Sequence, residues 1–336
     1  MNKSSKPKIF LTGAAGFIGR ELTKKLVGNG YFVSCFDLGE QFALHQEMFE
    51  QLQESGSIQV VYGTLLDRIS LQRHIQGHSI VIHLAAMLGV RRTEENRLGC
   101  IEINITGTDN VLNACVFNGV KHFVFSSSSE VYGEPNRNPI GEEDETKGKT
   151  VYAVTKLAGE ELAKGYNQLY PDLNYTVVRL FNTYGEGQVS QFVLARFVHA
   201  VIKGEAPTIY GDGEQLRGYC HVDDTIKGFC KIISDPKSMN KTYNLGNSDQ
   251  VLSLKELGGK VIQILAPGKG LEVEVLGTFE GTDRLEEREI FARYCDTSKI
   301  KKELGFQATI SVEEGVRRIA DYGVVHEDWP TLYKPK

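Results

Sequence analysis

Several things are scarce in this chain, and each scarcity closes off a class of protein. No two of the six cysteines, Cys35, Cys100, Cys115, Cys220, Cys230 and Cys295, form a Cys-x-x-Cys pair, and most lie inside apolar runs. They read as reduced core residues, and no metal site is indicated. No run of eighteen apolar residues occurs, so no membrane-spanning helix and no membrane partner are expected. The three lysines of Met1–Lys8 are not followed by an apolar h-region, which leads to the expectation of a cytoplasmic protein. Basic charge is not in excess: 38 Lys and Arg stand against 43 Asp and Glu, a net charge of -5. Lys and Arg are scattered rather than clustered, which argues against a nucleic-acid partner. Internal repeats, low-complexity tracts and long linkers are also missing. The 336 residues have room for two closely packed domains or one large α/β unit.

What is present is organised around Lys8-Ile-Phe-Leu-Thr-Gly-Ala-Ala-Gly-Phe-Ile-Gly19, an apolar strand running into three glycines spaced three apart. Gly13 suits a tight turn, Gly16 lets backbone approach a pyrophosphate, and Gly19 lets the next helix pack closely. Phe17 and Ile18 open that helix, whose N–H groups and positive dipole end face the anion. A second strand, Tyr31–Asp37, ends in an acid 18 residues beyond Gly19. Asp37 is placed to accept from both ribose hydroxyls of NAD and to repel a 2'-phosphate, the competing reading being a solvated turn acid before Gly39.

Strands and helices then alternate. A polar helical stretch, 41–55, precedes the strand Ile58–Tyr62 and the segment ending at Leu66 and Asp67, where Asp67 either meets an adenine amino group or caps the helix of Ser70–Ile75. The apolar strand Ser79–Ala86 ends in Leu84, Ala85 and Ala86, small enough at its tip for close cofactor approach, and its His83 reads as a core residue. Arg91 and Arg92 are read as loop residues. Helical spacing over 100–118 leads to the strand His122–Ser126, a helix opens near Val151, and a sixth strand covers Tyr175–Phe181. This alternation predicts an α/β fold, a doubly wound parallel Rossmann sheet, over 1–181, rejoined by about 219–247. A second, smaller substrate-binding lobe is expected over 182–336, with a helix at 191–203.

The chemistry-bearing residues follow the fifth strand: Ser126-Ser-Ser-Ser-Glu130, then Tyr152-Ala-Val-Thr-Lys156 opening a helix. A tyrosine and a lysine four apart share one helical face, and an ammonium beside a phenol favours the phenolate. Ser128 or Ser129 is placed to bond the same ligand oxygen.

The chain resembles the extended short-chain dehydrogenase/reductase family, in its NAD-dependent nucleotide-sugar epimerase and dehydratase branch. The matching pieces are Thr12–Gly19, His83–Ala86, Asn104 with Gly107-Thr108, Ser126–Gly133, Tyr152–Lys156, Arg179–Gly185, Tyr210–Gly213 with Arg217, His221–Asp224, Tyr243–Gly246 and Arg293. The resemblance implies Tyr152 as base, Lys156 on the nicotinamide ribose, Ser126 beside the cofactor and Ser128 on the sugar oxygen. It also implies Asn182, Arg217 and Arg293 on the nucleotide diphosphate, with Phe192 and Val193 near the base of a UDP-sugar. It further implies a homodimer built on helices 100–118 and 151–170. The expected activity is an NAD-dependent epimerase acting through a keto sugar, in the usual case at C4. A hexuronate decarboxylase or a 4,6-dehydratase is the alternative, with Glu130 the residue on which the choice turns. The 4,6-dehydratases carry a Thr-Asp-Glu run where this chain has Ser128-Ser129-Glu130. A non-catalytic nucleotide-binding protein is the reading from another class.

Overall fold

The computed structural model describes residues 6–189, 191–278 and 289–323. Its centre is a seven-stranded sheet. Six strands come in succession along the chain: β1 (Ile9–Thr12), β2 (Val33–Asp37), β3 (Ile58–Tyr62), β4 (Ile80–His83), β5 (His122–Ser128) and β6 (Asn174–Leu180), and the seventh is the late strand Lys241–Leu245. From the late strand inward the order is Lys241–Leu245, β6, β5, β4, β1, β2, β3. The pairs β1–β2, β1–β4, β2–β3 and β4–β5 are parallel. The order reverses direction at β1, between β4 and β2, and in such sheets ligands bind at that switch point, off the strands' carboxyl ends. Every residue of β1 and β4 is buried, as expected of strands covered by helices on both faces.

The connecting helices are α1 (Phe17–Gly28), α2 (Gly39–Ala43), α3 (Gln46–Glu54), α4 (Arg68–Ile75), α5 (Val90–Glu95), α6 (Arg97–Ile101), α7 (Gly107–Phe117) and α8 (Val151–Leu169). Four of the sequence expectations need correction here. The helical stretch 41–55 is two helices broken between Ala43 and Gln46. Arg91 and Arg92 lie in α5 rather than in a loop; the Arg91 side chain is outside the described residues. The strand expected to run to Ala86 stops at His83, leaving Leu84–Ala86 beyond it. The helix 100–118 is not continuous: α6 passes through a π turn, Glu102–Thr106, into α7. The buried Asn104 side chain sits in that turn, accepting from Met87 N (2.7 Å) and donating to Met87 O and Thr155 Oγ1 (both 3.0 Å). A periodicity reading has no signal for one extra residue in a turn.

Compact packing divides the chain into two units that are discontinuous in sequence. The first contains residues 1–131, 150–179 and 228–243; the second contains 132–149, 180–227 and 244–336. The core of the first gathers Phe10, Phe36, Val81, Leu112, Phe123 and Phe125 from the sheet and its helices. The core of the second is formed by Leu194, Phe197, Val198, Leu257, Val261 and Val316, from the helices Val193–Ile202, Leu254–Leu265 and Val312–Tyr322. The six cysteines are free thiols, all buried except the half-buried Cys230.

Candidate active site

At the carboxyl end of β1 the backbone turns sharply through Gly13, at φ +74°, where a Cβ would come within 2.6 Å of Ala85 N. A Cβ on Gly19 would lie 2.0 Å from Gly13 O, so the first turn of α1 is pressed against the loop that precedes it. Gly16 is the N-cap of α1, with no side-chain cap. The first-turn N–H groups, at the half-buried Phe17 and Ile18, therefore keep the donor capacity that such termini offer an anion. The carboxylate of Asp37 closes the other side: Oδ2 accepts from Ala15 N at 3.0 Å and Oδ1 from Leu38 N at 2.8 Å. Burial pushes its pKa up to about 6, against the pull of those two N–H groups. Asp37 is thus built into the glycine turn, which a solvated turn acid would not be. The glycine cradle, the uncapped helix start and the half-buried acid fit a dinucleotide.

Around this crevice the remaining residues fall as follows. Asp67 caps α4, its Oδ1 accepting from Ser70 N at 2.9 Å, so the capping role is the one the structure shows. Leu66 beside it is exposed, and Leu84, Ala85 and Ala86 are half-buried past the end of β4. His83 is a satisfied core residue: its two ring nitrogens lie 2.6 Å from Thr12 Oγ1 and 3.0 Å from Thr108 Oγ1, and burial lowers its pKa to about 3.

The serine run and the Tyr/Lys helix meet in the first unit. Thr150 caps α8, its Oγ1 accepting from Ala153 N at 3.0 Å, which fixes Tyr152 in the first turn with its side chain half-buried. Lys156 is 3% exposed; its Nζ donates to Ser126 O at 2.7 Å and lies 5.7 Å from the centre of the Tyr152 ring. Burial lowers the Lys156 pKa to about 8, so it remains a cation at neutral pH beside the phenol. Ser128 ends β5 half-buried, and its Oγ accepts from Glu130 N at 3.2 Å. The Glu130 carboxylate turns toward α8, with Oε2 accepting from Thr150 Oγ1 at 3.1 Å. Glu94 of α5 completes the helix start, Oε1 accepting from Val151 N at 3.4 Å. Two carboxylates thus stand at the positive end of α8.

In the second unit, Asn182 has a positive φ of 29° and its Nδ2 is buried without a hydrogen-bond partner, an orphan donor that a ligand oxygen would satisfy. Arg217 and Arg293 lie at the same register on paired strands, Leu216–Gly218 and Ala292–Arg293. Like charges side by side repel, and an anion held between them removes the cost. Here Arg217 Nη2 donates to Glu289 Oε1 (3.2 Å) and Ile290 O (2.7 Å). Phe192 is the partly exposed N-cap of the helix that Val193 begins.

Three groups escape the sequence reading: Thr150, Glu94 and the buried cluster of Glu160, Arg179 and Ser127. Thr150 had a legible signal, a threonine just before a helix. Glu160 repeats the four-residue spacing of Tyr152 and Lys156. Nothing in the local sequence joins Glu94 or Arg179 to this place.

Comparisons with known proteins identify the family and the fold. The model of the NAD dependent epimerase/dehydratase family matches residues 9–246. The chain is 32% identical over 324 residues to UDP-N-acetyl-alpha-D-glucosaminuronate decarboxylase of Bacillus cytotoxicus, covering 93% of this chain and 96% of the relative. It is 28% identical to a probable UDP-glucuronate 4-epimerase of Rhizobium meliloti, with 94% and 96% covered. Among solved structures, UDP-glucuronic acid 4-epimerase from Bacillus cereus, in complex with UDP-glucuronic acid and NAD, matches with a TM-score of 0.82 at 28% identity, over 94% of this chain and 98% of that one.

Proposed function

The chain belongs to the NAD-dependent epimerase/dehydratase family, and from that premise we propose that it is a nucleotide-sugar 4-epimerase acting on a UDP-hexuronate through a transient 4-keto sugar. The observation that carries the choice of reaction is at the end of β5, where the carboxylate of Glu130 is engaged by the capping hydroxyl of Thr150. Tyr152 and Ser128 suffice for an epimerisation, whereas dehydration or decarboxylation asks Glu130 to act on the sugar. The substrate class is drawn from relatives named for UDP-glucuronate and UDP-N-acetylglucosaminuronate.

In this reading Gly13, Gly16 and Gly19, with the N–H groups of Phe17 and Ile18, hold the pyrophosphate of NAD. Asp37 accepts from the adenosine ribose hydroxyls, Leu66 and the second oxygen of Asp67 border the adenine, and Leu84, Ala85, Ala86 and Ser126 line the dinucleotide. When bound, NAD would supply reversible hydride chemistry at C4. Ser128 donates to the C4 oxygen, Tyr152 removes its proton, and Lys156 lowers the cost of the phenolate while bonding the nicotinamide ribose. Arg217 and Arg293 grip the diphosphate, Asn182 donates its orphan N–H to it, and Phe192 and Val193 border the base. The second unit is the nucleotide-sugar lobe.

The protein is further proposed to be a homodimer. Leu98 (81% exposed), Ile101 (41%) and Val154 (51%) put apolar surface on α6 and α8, which pack together in the first unit, and uncovered apolar surface of this kind marks interfaces.

A hexuronate decarboxylase is the second reading, favoured by the Ser-Glu pair and by the 32% identical relative. The experiment that separates the two is incubation with UDP-hexuronates deuterated at C4, the products being identified by NMR. Epimerisation retains the label at C4 of a hexuronate, whereas a pentose product means decarboxylation.

A further inference from the structure

Glu160, Arg179 and Ser127 take no part in the reaction just described, yet they lie directly behind the residues that do. Glu160 follows Lys156 by one helical turn, as Lys156 follows Tyr152, so the three share one face of α8. The Glu160 carboxylate accepts from Arg179 Nε at 2.9 Å and Nη2 at 2.7 Å, and from Ser127 Oγ at 2.5 Å. Glu160 is 1% exposed. A bidentate ion pair out of water is costly to build and specific in geometry. Ser127, which it also holds, lies between Ser126, whose carbonyl receives Lys156, and Ser128.

Lys156 is a buried cation, and what surrounds it decides whether it stays one. Facing it are the Ser126 carbonyl, the rings of Phe125 at 5.0 Å and Tyr152 at 5.7 Å, the Cys100 thiol from α6, the His83 imidazole from β4, and Glu160. Burial keeps His83 neutral by lowering its pKa and keeps Cys100 neutral by raising its pKa. Glu160, forked with Arg179, is the carboxylate left facing the lysine.

We propose that Glu160, held in place by Arg179 and Ser127, is a positioning residue that maintains Lys156 as an ammonium and thereby sets how readily Tyr152 ionises. This rests on the reading of Tyr152 as the base, and it extends the working unit from a Tyr/Lys pair to a charge relay about two helical turns long.

The test reads Tyr152 itself, in NAD-loaded protein, as near-ultraviolet phenolate absorbance titrated against the Tyr152→Phe counterpart of each variant. The double variant Glu160→Gln/Arg179→Gln removes both charges and strands neither. Its phenolate midpoint is expected about one pH unit above that of the wild type, about a tenfold smaller ionised fraction on the rising limb. Ser127→Ala, which removes a hydrogen bond and no charge, is expected to leave the midpoint in place. An unmoved or lowered midpoint in the double variant overturns the assignment, and so does an equal shift in Ser127→Ala. Should the double variant not accumulate, Glu160→Asp draws the carboxylate back by one methylene: a smaller upward shift supports the assignment and an unmoved midpoint overturns it. Because the readout needs no sugar, absence of turnover on every UDP-hexuronate would sink the proposed reaction without touching this result.

Discussion

Tyr152 is half-buried in the first turn of α8 with a buried ammonium beside its ring, and that combination makes it the residue on which turnover should depend most. Tyr152→Phe keeps the ring and the packing and removes only the ionisable oxygen. It is expected to retain NAD and to lose on the order of a hundredfold or more in kcat; single-turnover assays with cofactor content measured in parallel check both halves. Glu130 makes a contrasting case. With its carboxylate engaged by the Thr150 hydroxyl, Glu130→Gln can still accept that hydrogen bond through its amide oxygen. Substantial epimerase activity is therefore expected to survive, whereas a loss of about a hundredfold or more would assign Glu130 to the chemistry and favour a lyase. Asp37 adds a pH dependence. Its pKa is raised to about 6 by burial, so its anion, the form that accepts from both ribose hydroxyls, is lost as pH falls through that value. NAD affinity of the cofactor-free protein should weaken below about pH 6, and Asp37→Asn should bind weakly with a flatter profile; calorimetry at several pH values decides.

Among the elements, α8 carries the most. It holds Tyr152 and Lys156 against β5 at a distance set by Gly159, where a Cβ would meet the Phe125 ring at 2.3 Å. Gly159→Ala is expected to cost about 1–3 kcal/mol of stability through overpacking, read as a lower denaturant midpoint with an unchanged slope, and to reduce turnover by moving the helix. Most of this architecture was legible in the sequence, because glycine spacing, buried strands and a capped helix are local signals. The glycine turn of Thr12–Gly19 and the acid at Asp37, which meet in the structure, lie within a few dozen residues of each other. What was not legible depends on contacts between distant stretches: Glu130 turning to Thr150, Glu94 reaching Val151, Arg179 closing on Glu160. The π turn at Asn104 was hidden for another reason. Its side chain bonds the Met87 backbone and Thr155, a tertiary demand that overrides helical period.

At the scale of the whole molecule, the apolar side chains Leu98, Ile101 and Val154 predict that the protein is a dimer at micromolar concentration. Light scattering should show it, and Leu98→Asp with Val154→Asp should yield monomers, since a charge in an apolar interface is left unpaired. The discontinuity of the two units bears on how the protein is made. The strand Lys241–Leu245 covers the outer side of β6, but the ribosome delivers it only after residues 181–240. At roughly 5–20 residues per second, the nascent chain leaves the edge of β6, with Val177 and Val178, unpaired for several seconds. Synthesis stalled between these points would present a sticky sheet edge to neighbouring chains, so the yield of this protein in a cell should depend on holdase capacity more than its finished stability suggests.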